Sequence, residues 1–251
     1  MMQSMITMDP PINRKYMDLK EKCIQSLGII PEETKVFLES TLSMRNVRVI
    51  IGLPTSPTHI YLASNALTGK YDKNLGLVLL YYPEDNEELF LRTFVHEVGH
   101  LYLEGFIRET PLSSKDLVLY RIIDESIANY FVLKFECDKN FLEYVKKLAR
   151  LLSTKTVEQG LEYHMVNILA PRVISYALYI RGLSKKDIRG MAKDYKKLIK
   201  ILMSVRDDDV RRASASVLYS VKVIGEEGLR AVSYTHLRAH ETEADLVCRL
   251  L

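Results

Sequence analysis

The segment FVHEVGHLYLEG, residues 94–105, carries the side chains of this sequence that are best suited to chemistry. His96 and His100 are four residues apart, so on a helix both imidazoles leave the same face. At that spacing, two ring nitrogens can reach one metal ion at about 2.0–2.1 Å. Glu97 is too close to them to join readily as a ligand, but it is well placed to take a proton from water on the ion. The pattern predicts a metal site with its own general base, and Gly99 leaves room for a neighbour to approach.

A third ligand is expected from DESIANYF, residues 124–131, on the next predicted helix. A catalytic zinc takes three protein ligands and keeps one position open. Glu125 is flanked by apolar residues, where an unpaired carboxylate would be costly. Two antiparallel helices joined by the loop FIRETPLSSK would bring Glu125 towards the histidines. One turn further on, Asn129 would accept a hydrogen bond from a ligand imidazole. Asp124 is expected to point away from the ligands, and to form an ion pair or to support a ligand by a hydrogen bond.

The elements before this helix are predicted to form a small sheet. Three β-branched or aromatic runs bounded by proline indicate strands: NVRVIIGLP (46–54), HIYLAS (59–64) and LGLVLLYYP (75–83). TGKYDKNLG, residues 68–76, is typical of a turn. His59 falls on the second of these strands and is expected to be structural. The third strand is either an edge along which a peptide substrate could pair or an ordinary internal strand.

Helices are predicted on both sides of the sheet. Start and stop signals indicate helices over 9–28, 31–43, 84–105 and 116–136. Others are expected near 139–152, 156–181 with a kink at Pro171, 184–204 and 206–223. The predicted fold class is α+β. A small, mostly antiparallel sheet packs on the helix that bears His96 and on the following ligand helix, and an all-helical C-terminal lobe follows.

Four regions are expected along the chain. They are N-terminal helices over 1–46, a catalytic core over 47–136, a helical lobe over 137–231 and a tail over 232–251. The tail, VSYTHLRAHETEADLVCRLL, contains His236, His240 and Cys248, which could imitate a metal site. Its back-translation is similar to a transposon-type short-read library adapter, so we expect it to be non-native and exclude it from the site.

Composition and charge exclude several classes of partner. The formal charge of +3 is too small to imply a nucleic-acid or membrane partner, and no apolar run is long enough to span a bilayer. Basic residues in KKDIRGMAKDYKKLIK, residues 185–200, alternate with acidic and apolar ones, which indicates solvated helix faces. No signal peptide is predicted, and three cysteines without a Cys-x-x-Cys pair fit a cytoplasmic protein. Cys23 and Cys137 are expected to be buried thiols.

HEVGH, followed 24 residues on by DESIANYF, resembles the gluzincin group of zinc metallopeptidases. Within that group the second motif is similar to ImmA/IrrE-like proteins and compact minigluzincins, and the resemblance covers roughly residues 47–135. Leu103 and Phe106 stand where the metzincin pattern HExxHxxGxxH requires Gly and His, so that branch is excluded. The chain also departs from the thermolysin-type pattern NExxSD, with Asp124 before the ligand and Asn129 in place of an acid.

The resemblance implies a zinc-dependent peptidase that acts on a peptide or protein substrate. His96, His100 and Glu125 would hold Zn2+, and Glu97 would pass the proton of water to the leaving amine. Gluzincins take a further oxyanion donor from a downstream Tyr or His, which here is His164 or Tyr163.

Two alternatives to the peptidase remain open. One is a regulatory or binding zincin-like protein with a very narrow protein substrate or no turnover, which also predicts zinc. The other is a structural helical protein in which the two histidines lie on a surface or in the core, which predicts no metal. The sequence does not determine the oligomeric state.

Overall fold

The structure is a computed structural model that describes residues 2–12, 17–65, 67–83, 86–107, 114–154, 168–194 and 196–221. These residues form an α+β fold that contains one four-stranded sheet and a larger number of helices. The first half of the chain contains α1 (Met2–Met5), β1 (Ile6–Asp9), α2 (Met17–Gly28), α3 (Glu32–Arg45), β2 (Arg48–Gly52), α4 (Pro57–Ser64), β3 (Gly69–Asp72) and β4 (Leu77–Tyr81). The remaining helices are α5 (Glu87–Glu104), α6 (Ser114–Lys134), α7 (Lys139–Ser153), α8 (Ala170–Arg181), α9 (Lys185–Lys193), α10 (Lys197–Met203) and α11 (Asp208–Ser220).

The sheet is mixed, with the strand order β1-β2-β4-β3. β1 pairs with β2 in parallel, β2 pairs with β4 in parallel, and only β3 and β4 are antiparallel. The expected antiparallel character is therefore not confirmed. The prediction of N-terminal helices over 1–46 missed β1, because ITMD is only four residues long and carries a weak local signal. The connection through α2 and α3 is long enough to return the chain parallel to β1.

The segment predicted as a turn, residues 68–76, forms the edge strand β3 and a tight reversal. Asp72 Oδ1 accepts hydrogen bonds from the backbone N–H groups of Asn74 and Leu75, both at 3.1 Å. Gly76 then adopts a φ of +61°, which glycine tolerates without steric cost. β4 lies between β2 and β3, so the run LGLVLLYYP contains an internal strand and not an edge.

The prediction that HIYLAS forms a strand is wrong, because these residues belong to helix α4. Ser56 caps the helix by accepting a hydrogen bond from His59 N at 3.1 Å, and Pro57 occupies its first turn. A serine followed by proline is a helix start signal that overrides the strand propensity of the apolar residues behind it. His59 stacks on Tyr81 with ring centroids 4.3 Å apart, and so ties α4 to the end of β4.

Most of the other predicted helices are confirmed, with two changes. The helix predicted over 184–204 is two helices, α9 and α10, and a capping box between Ser184 and Asp187 begins the first of them. In the helix predicted over 156–181, the described portion contains α8 with Pro171 in its first turn, and residues 155–167 lie outside the described residues.

The chain divides into two units, of which the first comprises Met1–Ile107 and Ile127–Lys139. This unit contains the sheet, whose inner strands bury Val49, Ile51, Val78 and Leu80 completely. α5 packs on β3, β4 and α3 through a buried stripe of Phe90, Phe94, Val95, Val98, Leu101 and Leu103. The N-terminal segment belongs to this unit, because β1 pairs with β2. The thiols of Cys23 and Cys137 are free and buried, as expected, and burial raises the pKa of each to about 12.

The second unit comprises Arg108–Ser126 and Asn140–Leu251, and its described residues are helical apart from short connections. α8 packs on α11. The buried residues of these two helices include Val173, Ile174, Ala177 and Leu178 of α8 and Val210, Ala213, Val217 and Leu218 of α11. Among the described helices, none combines the length and the apolar character that a membrane span requires.

Candidate metal centre

Helix α5 positions both histidines and Glu97. Asn86 caps it by accepting a hydrogen bond from Leu89 N at 2.9 Å, and two glutamates follow in the first turn, where the helix dipole favours negative charge. The buried stripe of α5 fixes the rotation of the helix about its axis. As a result, His96 and His100 share one half-buried face.

The two imidazoles are close enough to share one ion. Their Nε2 atoms are 3.1 Å apart, and the rings lie nearly perpendicular, with an interplanar angle of 88°. Two nitrogens that bind one tetrahedral ion at about 2.0–2.1 Å lie about 3.3–3.4 Å from each other. The observed separation is therefore near the value that shared coordination requires.

Glu125 completes a group of three potential ligands on α5 and α6. One ring nitrogen of each histidine and a carboxylate oxygen of Glu125 all lie within 4.8 Å of one another, and all three residues are half-buried. Two histidines and one glutamate form a donor set found in catalytic zinc sites, although imidazole also suits copper, iron and nickel. The residues present therefore fit a divalent transition metal.

The close packing of α5 and α6 is what allows Glu125 to reach the histidines. A Cβ added at Gly99 would lie 2.7 Å from Ala128 Cα, closer than real Cβ contacts. Gly99 thus leaves room for the α6 backbone itself. α6 is continuous from Ser114 to Lys134, and Glu125 lies about one turn before Ala128 on the same helix. The small residues at this crossing bring the ligand-bearing turns together.

An aromatic cluster packs beside this crossing. Phe37 of α3 stacks on Phe131 of α6 with ring centroids 4.3 Å apart. Tyr102 of α5 meets both rings, at 5.7 Å from Phe37 and 5.1 Å from Phe131. Large aromatic side chains bury much apolar surface and prefer such offset and tilted geometries. The cluster therefore stabilises the position of α6 next to α5.

Glu97 is held by the edge strand of the sheet. Its Oε2 accepts a hydrogen bond from the backbone N–H of Tyr71 on β3 at 2.7 Å. The carboxylate is half-buried, and the bond fixes the carboxylate of Glu97 relative to β3. A hydrogen bond to an ionised acceptor is stronger than one between neutral groups.

Tyr71 of β3 and Lys73, the residue after the strand, make two further contacts with α5. Tyr71 Oη donates to Glu104 Oε2, while Lys73 Nζ lies 3.1 Å from the other oxygen of the same carboxylate. Burial, together with the bond to Glu104, raises the pKa of Tyr71, so the phenol stays protonated as a donor at neutral pH. A Cβ added at Gly69 would lie 2.4 Å from Thr93 Cγ2 and 3.1 Å from Glu97 Cγ. β3 can therefore come this close to α5 only because residue 69 has no side chain.

Of the other predicted site residues, two lie on α6 and the rest lie outside the described residues. Asp124 and Asn129 are half-buried on α6. Asp124 does not belong to the group formed by the histidines and Glu125, and the hydrogen bond expected for Asn129 remains a prediction. His164 and Tyr163 lie outside the described residues, and so does the tail at 232–251.

Sequence reasoning missed Gly69, Tyr71 and Ala128. A signal for the first two was present, because a turn-forming DKNLG between GKY and GLVLLYY is a hairpin pattern. The signal for Ala128 is weaker. It is a small residue one turn after Glu125, so it lies on the same face of the helix, where a neighbouring helix could pack closely.

Comparison with known proteins gives no matching family model, no matching curated protein and no matching solved structure.

We predict that Gly99→Ala lowers the free energy of unfolding by about 1–3 kcal/mol, because the added methyl group must displace the α6 backbone. Urea unfolding measures the change. Gly28→Ala is the matched control, since a Cβ there meets open space, and its stability should hold or rise slightly. Equal stability of the two variants would disprove the close crossing.

We predict that Gly69→Ala is destabilising by about 1–3 kcal/mol and that Thr93→Ser in the same chain restores much of the loss. Serine lacks the Cγ2 that would lie 2.4 Å from the new Cβ. A double-mutant cycle of Gly69→Ala and Thr93→Ser, measured by urea unfolding, reports the coupling. Additive effects of the two substitutions would show that β3 and α5 do not meet at this point.

Proposed function

We propose that this protein is a zinc-dependent peptidase of the gluzincin type. His96, His100 and Glu125 hold the ion, and Glu97 is the general base. The observation that carries the proposal is the group of three ligand atoms within 4.8 Å of one another, on the helix pair that also bears Glu97. The resemblance of HEVGH and DESIANYF to gluzincins supports the same assignment.

The proposed mechanism is hydrolysis of a peptide bond by water. Zinc, when bound, would supply a Lewis acid that polarises the scissile carbonyl and lowers the pKa of a bound water to about 7. Tyr71 N–H engages Glu97 Oε2, and we assign Oε1 to take the proton from the attacking water. Glu97 then gives this proton to the leaving amine. His164 or Tyr163 remains our proposed donor to the oxyanion.

The same proposal includes a peptide or protein substrate and a cytoplasmic location. The free, buried thiols of Cys23 and Cys137 support a reducing compartment. Zincin-like packing of the sheet on α5 also belongs to the proposal, although the sheet has more parallel pairing than the resemblance implies.

A regulatory zincin-like protein without general turnover is the second candidate. It is favoured by one observation, the hydrogen bond that already engages Glu97 with the backbone of β3. Both candidates bind zinc through the same residues. Only the peptidase hydrolyses generic peptides.

We predict that the purified full-length protein binds about one zinc per chain and that the His96→Ala variant does not bind zinc. Metal analysis by mass spectrometry gives the ratio. A control chain with His236→Ala and His240→Ala removes the tail histidines and should keep its zinc. Zinc that depends on the tail pair and survives His96→Ala would overturn the proposed site.

Glu97→Gln should keep the zinc and lower peptide hydrolysis by at least about 10²-fold, because the amide is nearly the same size but cannot take the proton. Cleavage of a mixed fluorogenic peptide library is the assay, with the zinc ratio measured on the same preparation. Full hydrolysis by Glu97→Gln would disprove the assignment of the base. Zinc binding with no hydrolysis by the unmodified protein would favour the second candidate.

A further inference from the structure

Strand β3 lies along helix α5 and contacts it at successive turns of the helix. Gly69 is the first contact, since a Cβ added there would lie 3.1 Å from Glu97 Cγ. The backbone N–H of Tyr71 follows, with Glu97 Oε2 at 2.7 Å. The Tyr71 hydroxyl then donates to Glu104 Oε2, two turns beyond Glu97 on the same helix. Tyr71 thus contacts α5 both through its backbone and through the end of its side chain.

The N–H group of Tyr71 points to the outer edge of the sheet and not towards β4. Thr68 O accepts a hydrogen bond from Tyr81 N at 2.9 Å, so the backbone groups of Thr68 face β4. Alternate residues of an antiparallel pair face the partner strand, and Tyr71, three residues after Thr68, therefore faces away from it. The Glu97 carboxylate occupies the position that a neighbouring strand would take. The position of this carboxylate consequently depends on where Tyr71 lies over α5.

Side-chain contacts must hold β3 in place along α5. β3 has four residues, and in the described sheet it pairs with β4 alone. A strand so short, paired on one side, has few backbone bonds that resist its displacement. The bond from the Tyr71 hydroxyl to Glu104 supplies a directional contact at the helix. Because the ring and the N–H of Tyr71 share one Cα, fixing the hydroxyl limits the movement of the N–H over Glu97.

Glu104 lies at a helix position that does not favour an acid. It is the last residue of α5, where the helix dipole disfavours negative charge, and the last turn contains no basic residue. Its side chain is only 17% exposed. A carboxylate removed from water in this way needs partners. It finds them in the β3 segment, since the Tyr71 hydroxyl bonds to one oxygen and Lys73 Nζ lies 3.1 Å from the other.

We propose that Tyr71 and Glu104 are positioning residues for the Glu97 carboxylate. The Tyr71 hydroxyl, anchored on Glu104, keeps the Tyr71 N–H over Glu97 Oε2 and leaves Oε1 for the proton of the attacking water. The effect on reaction rate rests on the proposed peptidase function, whereas the effect on the carboxylate does not. Lys73 contributes little, because its side chain is 71% exposed and surface ion pairs are weak.

The first test is hydrogen exchange of the residue-71 amide, measured by NMR on the full chain without added zinc. Tyr71→Phe keeps the ring but removes the hydroxyl, and it should raise the exchange rate of this amide at least about threefold. The matched control is Tyr61→Phe. Tyr61 Oη accepts a hydrogen bond at 2.8 Å from Lys70, whose side chain leaves the other face of β3. This control should change the rate by less than about twofold, and urea unfolding of both variants identifies any global loss of stability.

A double-mutant cycle determines whether the Tyr71 hydroxyl acts through Glu97. Glu97→Ala removes the acceptor, so it should raise the exchange rate of the residue-71 amide by itself. Adding Tyr71→Phe to Glu97→Ala should then have little further effect. Independent effects of the two substitutions would overturn the proposal, because the hydroxyl would then hold the strand without holding Glu97. Unchanged exchange in Tyr71→Phe would overturn it as well.

The second test is the rate of the zinc-loaded protein on the best-cleaved peptide of the fluorogenic library. Tyr71→Phe should lower kcat about tenfold and change KM by less than about twofold, because the base is displaced while the peptide still binds. Glu104→Ala should have the same effect. Glu104→Gln should recover most of the rate, since its amide oxygen still accepts the Tyr71 hydroxyl. Equal losses in the two Glu104 variants would indicate an ion-pair role and overturn the positioning role.

Failure of the proposed function and failure of this inference give different results. If the unmodified protein binds zinc but hydrolyses no peptide, the peptidase function fails, and the exchange cycle still decides whether Tyr71 holds Glu97. If the protein is active and Tyr71→Phe has the same kcat as Tyr61→Phe, the positioning role is overturned and the peptidase function stands.

Discussion

The close crossing of α5 and α6 at Gly99 and Ala128 is the constraint on which the candidate metal centre depends. The potential metal ligands lie on both helices and can share one ion only where the helices come close together. The side chains at the crossing set the distance between the helix axes, and here they are small. Because Gly99 lies beside His100 and Ala128 lies about one turn after Glu125, the crossing and the ligand group share the same turns of each helix. Phe37 of α3 stabilises this arrangement through its contacts with Tyr102 of α5 and Phe131 of α6.

The sheet contributes to the site through its edge and not through its centre. β3 is short, and its free edge lies against α5, where the Tyr71 N–H bonds to Glu97 and the Tyr71 hydroxyl bonds to Glu104. An edge strand normally presents unpaired backbone donors. Here the Tyr71 donor holds the carboxylate that we propose as the general base, so the strand and the helix fix each other. Gly69 makes this contact possible in the same way that Gly99 makes the helix crossing possible.

Two glycines of this chain have a physical explanation in the packing of the fold. Gly69 and Gly99 are required by neighbouring groups of the folded chain, because an added Cβ would collide with atoms that are themselves packed. At Gly190, by contrast, the nearest described atom that an added Cβ would meet is Cδ of the flexible Lys197 side chain, at 3.3 Å. Packing against neighbouring elements therefore explains Gly69 and Gly99. The distinction is one that residue type alone does not reveal.

The sequence by itself determined the long helices and the face that His96 and His100 share, because both follow from periodicity within one segment. It also indicated Glu125, since a carboxylate among apolar neighbours needs a partner. Only the tertiary structure decided the parallel pairing of β1, the helical state of α4 and the edge position of β3. Short segments have weak local preferences, and strand order depends on contacts between residues far apart in the chain. The hydrogen bond between Tyr71 and Glu97 could not be predicted from the sequence for the same reason. It joins two elements, and no local sequence pattern sets the distance between them.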